Sequence, residues 1–105
     1  MIVTFEEKYL QELYEKGKTK NKKYRFQPEV VRKYQYCIKL LLAASCIEAL
    51  YSIKALNYEV LKGEKAGRSS IRVNMQYRIE FSITDNGIEP VVTVCNILEL
   101  SNHYK

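Results

Sequence analysis

Leu61-Lys62-Gly63-Glu64-Lys65-Ala66-Gly67-Arg68-Ser69-Ser70-Ile71-Arg72-Val73-Asn74-Met75-Gln76-Tyr77-Arg78-Ile79 is the stretch that decides the fold. A basic turn punctuated by Gly63 and Gly67 feeds a segment in which Ile71 and Val73 alternate with Ser70, Arg72 and Asn74. A second alternating run returns at once through Tyr77, Ile79, Phe81 and Ile83. Period two is the mark of a strand, and a short connection makes the pair antiparallel. If the apolar side chains share one face, Arg72 and Arg78 share the other and meet across the connection Asn74-Met75-Gln76. Like charges placed so destabilise a bare sheet by up to ~1 kcal/mol. Either an anion such as phosphate sits between them, or the two side chains splay apart on a solvated face.

Outward from this hairpin, the period-two pattern predicts four strands at Glu59 to Lys62, Ser70 to Asn74, Tyr77 to Thr84 and Val91 to Leu100. Asp85-Asn86-Gly87 reads as the hairpin turn between the last two, because Asn and Gly accept positive φ. Towards the N-terminus, Ile2 to Phe5 is β-prone, and Thr4 with Glu7 has the spacing of a capping box. The stripe Phe5, Tyr9, Leu10, Leu13 and Tyr14 predicts a first helix, ended by Gly17. Pro28 opens a second helix that is expected to run to about Ser52, with Val31, Tyr34, Ile38, Leu41 and Leu42 facing the core. Beyond Leu40 it is apolar nearly all round and needs cover on more than one side. The fold class is therefore α+β. A short N-terminal strand and two helices precede an antiparallel β-meander, with the helices packed on one sheet face.

The 105 residues make one domain, 1–105, with a net charge of +5. Between Lys16 and Lys33 there are eight cations and one acid, Glu29; between Lys62 and Arg78 there are five cations and one acid, Glu64. Two basic blocks that merge on one face suit a polyanionic partner. The most apolar run, Cys37 to Leu50, has 14 residues including Lys39 and Glu48, short of the roughly 20 that span a membrane. Cys37, Cys46 and Cys95 lie in apolar runs without metal-ligand spacing, which suits a reducing, cytoplasmic compartment and argues against zinc.

Lys62, Arg68 and Arg78 are the candidate phosphate cluster, because cations carried on strands and tight turns are aimed. No P-loop pattern is present. His103, the only histidine, is the one side chain titrating near neutrality; a solvated tail residue is the bland alternative. Tyr24, Tyr58 and Tyr104 lie near basic residues and are able to stack on bases, with packing the favoured role for each.

These residues resemble the RelE/HigB superfamily of type II toxins, most closely its HigB-like branch. The resemblance is carried by Leu61-Lys62-Gly63, Gly67-Arg68, Ser70 to Asn74, Gln76-Tyr77-Arg78-Ile79 and Phe81; the Ile2 to Phe5 opening and the His-containing tail agree with it. It implies a RelE-like fold and a ribosome-dependent endoribonuclease that cuts mRNA without metal or cofactor. The 2′-hydroxyl attacks the adjacent phosphate, leaving a 2′,3′-cyclic phosphate and a free 5′-hydroxyl. It further implies a cognate helix-turn-helix antitoxin, with operator DNA engaged only through the toxin–antitoxin complex. In that picture Lys62 binds phosphate or assists the base, Arg68 and Arg78 hold the scissile phosphate, and His103 is general acid or base. HigB-like toxins commonly carry His two residues before the L-K-G run. This chain has Glu59 there, which makes Glu59 the candidate base. Likewise Ser69 stands where Trp is frequent, and Ser101-Asn102-His103-Tyr104 replaces an Asp-Tyr-His tail. Lys20, Lys22, Lys23 and Arg25 are then the rRNA contacts, with Lys65, Arg72 and Tyr104 on the mRNA. Two other readings stay open: a non-catalytic RNA- or operator-binding module of the same fold, and an interaction domain whose apolar helix pairs with a partner.

Overall fold

A computed structural model of the chain describes residues 1–102; His103 and Tyr104 lie outside the described residues. One five-stranded sheet carries three helices on a single face. The elements are β1 (Ile2–Phe5), α1 (Lys8–Lys16), α2 (Pro28–Ala43), α3 (Glu48–Tyr51), β2 (Glu59–Val60), β3 (Ser69–Arg72), β4 (Tyr77–Asp85) and β5 (Thr93–Asn102). The sheet order is β1-β5-β4-β3-β2. β2 through β5 form the expected antiparallel meander, while β1 pairs parallel to β5, so the sheet is mixed.

The β3–β4 hairpin has the register its alternation demands. Ile71 faces Ile79, and Arg72 faces Arg78. Ile71, Ile79, Phe81, Cys95, Ile97 and Leu100 form the floor of the core, and Tyr9, Leu10, Leu13, Val31, Tyr34, Ile38 and Leu41 cover it from α1 and α2. The Tyr34 hydroxyl, fully buried, donates to the Leu10 carbonyl at 2.7 Å and ties the two helices together. Gly17 ends α1 in the left-handed conformation (φ 75°), with its N–H on the Leu13 carbonyl.

Four sequence expectations need correction. The capping box does not form: Thr4 lies in β1 and its hydroxyl donates to Asn96 Oδ1 at 2.8 Å. Pairing with β5 holds the backbone extended through Phe5, so α1 starts at Lys8 without a side-chain cap. The second helix stops at Ala43 instead of near Ser52. A straight helix would carry Leu50 roughly 13 Å past Leu41, at 1.5 Å per residue, and off the sheet. The break at Ala44 turns the chain back, so that Leu50 is fully buried at the head of the core. The Met1 ammonium donates to the carbonyls of Leu41 and Leu42, placing positive charge where the helix dipole is negative. The turn at Asp85-Asn86-Gly87 opens a longer loop. Asn86 closes it, exchanging hydrogen bonds with Val92, so β5 begins at Thr93 instead of Val91. Finally, β2 and β3 are shorter than expected, Glu59–Val60 and Ser69–Arg72.

One irregularity positions the site. Glu80 pairs with Glu99, but Phe81 pairs with Ile97, so Leu98 is an extra residue, a β-bulge. The bulge lets Ile97 and Leu100 both point into the core. It also turns Glu99 and Ser101 onto the opposite face, beside Glu80 and Arg78. Among the described residues no helix is long and apolar enough to cross a membrane.

Candidate active site

The face of the sheet without helices carries Glu59 from β2, Ser70 and Arg72 from β3, Arg78 and Glu80 from β4, and Glu99 and Ser101 from β5. The loop of residues 61–68 leans over this face. Leu61 N–H bonds the Arg68 carbonyl at 2.9 Å and Arg68 N–H bonds the Lys65 carbonyl at 3.1 Å, closing the loop on itself. Gly63 (φ 70°) and Gly67 (φ 94°) supply the left-handed bends that closure requires. Between loop and sheet lies a cleft of ≈ 280 Å³ lined by Leu61, Lys62, Lys65, Arg78, Glu80, Glu99, Ser101 and Asn102.

The sequence places Lys62, Arg68, Arg78 and Glu59 together, and the structure brings all four to this face. Arg78 is the most enclosed of the cluster arginines, its side chain 15% exposed. Its guanidinium donates to Glu59 Oε2 and to Ser70 Oγ, both at 3.3 Å. The pairing with Arg72 is thus relieved by the Glu59 carboxylate, which arrives from the edge strand. Lys62 projects from the loop into the cleft and makes no ion pair among the described residues. Arg72 is exposed beside Arg78.

Sequence reasoning missed two acids. Glu80 is 2% exposed, beneath the loop. Its carboxylate accepts from Lys65 Nζ at 2.7 Å and Arg68 Nη1 at 2.9 Å, and Ser101 lines the same cleft. Burial pushes the Glu80 pKa up, but the hydrogen bonds from Lys65 and Arg68 outweigh it and hold the carboxyl below its ordinary value. Glu99, opposite Glu80, lies 3.4 Å from the same Arg68 nitrogen. Arg68 therefore bridges two carboxylates through one nitrogen, Nη1. The alternation that placed Arg78 on this face reaches Glu80 two residues later; Glu99 depends on the bulge. Lys62, Lys65, Arg68, Arg72 and Arg78 against Glu59, Glu80 and Glu99 leave two positive charges in excess, enough to hold one phosphodiester.

Lys20, Lys22, Lys23 and Arg25 are exposed on the α1–α2 connection, outside the cleft. One further cleft places Tyr24 near Arg68, with Glu6, Glu7 and Glu99 also lining it, so it does not join the two basic blocks; there Tyr24 stacks on Tyr9 with ring centroids 3.6 Å apart. Tyr24 thus packs on Tyr9, and Tyr58 packs against Phe81 and Tyr51. Cys37 is buried, bonds the Arg72 carbonyl, and has its thiol pushed up to about 12 by burial, which makes it unreactive. Among the described residues no group of three His, Cys, Asp or Glu is placed to hold a metal. β5 ends at Asn102 on the rim of the cleft.

Chemically, this face can bind a phosphodiester at Lys62 and Arg78 and present the Glu59 carboxylate to a neighbouring hydroxyl. A family model described as the RelE-like toxin HigB of type II toxin–antitoxin systems matches residues 3–93. A YoeB/ParE toxin from Agrobacterium tumefaciens has a similar structure, with 18% identity and a TM-score of 0.58 over 99% of this chain and 100% of that one. A YoeB–YefM complex from Staphylococcus aureus matches with 20% identity and a TM-score of 0.58, over 99% of this chain and 98% of that one. A heterotetrameric YoeB–YefM toxin–antitoxin complex from the same organism matches with 22% identity and a TM-score of 0.52, with the same coverage. At these identities the likeness is one of fold. No curated protein matches the chain.

Proposed function

We infer a function from one premise: this chain belongs to the RelE-like HigB toxins of type II toxin–antitoxin systems. Our reading is a ribosome-dependent endoribonuclease that cleaves mRNA in the cytoplasm and is neutralised by a cognate antitoxin. Operator DNA is engaged only through that complex. The observation that carries the reading is the fixed Arg78–Glu59 pair at the mouth of a cleft into which Lys62 projects. Arg78 and Lys62 bind the scissile phosphate and neutralise charge that grows on its oxygens during attack. Glu59, two residues before the L-K-G run, takes the proton from the 2′-hydroxyl. His103 protonates the leaving 5′-oxygen. Arg68 and Lys65, held by Glu80, fix the loop that carries Lys62 instead of touching the phosphate. Lys20, Lys22, Lys23 and Arg25 contact rRNA, and Arg72 and Tyr104 the mRNA.

The test is induction in cells followed by primer extension on cellular mRNA. The wild-type chain arrests growth and leaves cuts at fixed positions within codons. Arg78→Ala and Lys62→Ala each lower cleavage by roughly 10²–10³-fold, the usual loss on removing one donor to a developing oxyanion. Undiminished arrest with both soluble variants refutes the site. One observation favours a non-catalytic module instead: Arg68 is engaged by Glu80 and Glu99. That reading requires growth effects without any mRNA cuts.

A further inference from the structure

On the far side of the β2 edge from the candidate active site lies a second groove, of ≈ 540 Å³, lined by Tyr51, Ile53, Lys54, Asn57, Tyr58 and Val60. Its volume is that of a small-ligand site. Tyr58 is its floor. The Tyr58 ring packs 6.4 Å from Phe81, and its hydroxyl shares a 3.0 Å hydrogen bond with Ser69, so the ring is fixed before any ligand arrives. Tyr51 is the wall, tilted 41° to Tyr58 at 5.3 Å and 58% exposed. The break after α2 is what puts it there: the same turn that buries Leu50 brings its neighbour Tyr51 out against Tyr58. Val60 is 63% exposed at the same edge.

We propose that this groove is a nucleobase subsite, which takes one unstacked base of the single-stranded RNA whose phosphate occupies the Lys62–Arg78 cleft. Aromatic faces held rigid and open are what an unstacked base requires, and they accept any base. The electrostatics select a nucleic acid over an apolar peptide. The groove has a cation, Lys54, on its rim and no acid among its lining residues. It is also continuous with the phosphate site. Asn57 lines both this groove and the small cleft formed with Ser70, Arg72, Asn74, Tyr77 and Arg78. The Asn57 amide donates to Glu59 Oε1 at 3.4 Å, and Glu59 in turn holds Arg78. A strand leaving Arg78 therefore meets Arg72, then Asn57, then the two tyrosines, with positive charge along the backbone path and π faces at its end. The inference rests on the ribonuclease reading and adds to it a determinant of RNA grip that acts on a base instead of a phosphate.

The experiment uses the full chain and a 2′-O-methyl RNA octamer, which cannot be cleaved, with 4-thiouridine at one position at a time. Binding is followed by fluorescence anisotropy at low salt, and photo-crosslinks are mapped by mass spectrometry. Crosslinks to Tyr51 or Tyr58 are expected from one position of the octamer. Tyr51→Leu is expected to weaken binding about tenfold, the usual worth of one stacked base, whereas Tyr51→Phe stays within twofold. Tyr51 is exposed, so both variants fold, which circular dichroism checks. Binding by Tyr51→Leu equal to wild type, or crosslinks confined to other residues, overturns the subsite. If Arg78→Ala also abolishes binding in that case, the phosphate reading survives alone. A tenfold loss in Tyr51→Leu together with undiminished mRNA cleavage by Arg78→Ala supports the groove and refutes the phosphate site. A wild-type groove that never crosslinks to RNA but is shielded in the antitoxin complex assigns it to the protein partner and overturns the proposal.

Discussion

Glu80→Gln tests whether the open face is held together by its buried carboxylate. The substitution keeps the shape and removes the charge. In the wild type Glu80 is 2% exposed and accepts from Lys65 at 2.7 Å and Arg68 at 2.9 Å. The amide keeps one acceptor oxygen for one of the cations and turns its N–H donors towards the other. Breaking a fully buried ion pair costs about 3–5 kcal/mol. Here the partners are not fully buried: the Lys65 side chain is 47% exposed and that of Arg68 35%. Both can rehydrate, and Arg68 keeps Glu99 at 3.4 Å. That halves the cost, to ~2 kcal/mol, which for a domain of this size lowers Tm by about 8 °C or more. The pH dependence has a definite sign. Glu80 has its folded pKa below the ordinary carboxyl value of 4.5, so its stabilisation is complete above that value and is lost as pH falls through the folded pKa. Urea unfolding followed by far-ultraviolet circular dichroism at pH 7, 5, 4 and 3.5 reads both quantities. The wild type should exceed the variant by ~2 kcal/mol at pH 7 and 5, and the difference should shrink below pH 4.5. A difference under ~0.5 kcal/mol at pH 7, the size of a surface pair, refutes the reasoning, as does a difference that persists unchanged at pH 3.5.

Two further outcomes concern the scaffold alone. Tyr34→Phe removes the buried hydroxyl that donates to the Leu10 carbonyl at 2.7 Å, and is expected to cost ~1 kcal/mol in urea unfolding at neutral pH while leaving mRNA cleavage unchanged. Gly17→Ala places a Cβ on a residue at φ 75°, where the added atom meets only Gln35 Nε2 at 3.5 Å, so strain in the backbone and not a clash sets a cost of ~1 kcal/mol, read from the thermal midpoint.

Features encoded within a few residues were legible in the sequence. Period-two alternation fixed the β3–β4 register, because shifting it by one residue would have turned Ile71, Ile79 and Phe81 to solvent. It also put Arg72 opposite Arg78, and the basic turn with its two glycines identified the loop that carries Lys62. What escaped depends on contacts distant in sequence. Beyond Leu40 the run to Leu50 is apolar nearly all round, so its pattern does not distinguish one straight helix from two pieces; the width of the sheet decides. Thr4 and Glu7 satisfied a local capping rule, and pairing with β5 overrode it. The bulge at Leu98 sets the face on which Glu99 lies, and a bulge is visible only once the two strands are paired.

The missed carboxylates change what the face is for. Read as cations alone, it was a cradle with five positive charges and one nearby acid. With Glu80 and Glu99 in place it has two layers. The lower layer, Glu80 and Glu99 with Lys65 and Arg68, is internally neutral and fixes the loop. The upper layer, Lys62, Arg72 and Arg78 with Glu59, retains the excess charge. A bare cluster of five cations would repel itself and bind any polyanion. Neutralising the lower layer spares the fold that repulsion and concentrates the excess beside the carboxylate proposed as base. Phosphate affinity should therefore follow Lys62 and Arg78, while Lys65 and Arg68 should register mainly in stability.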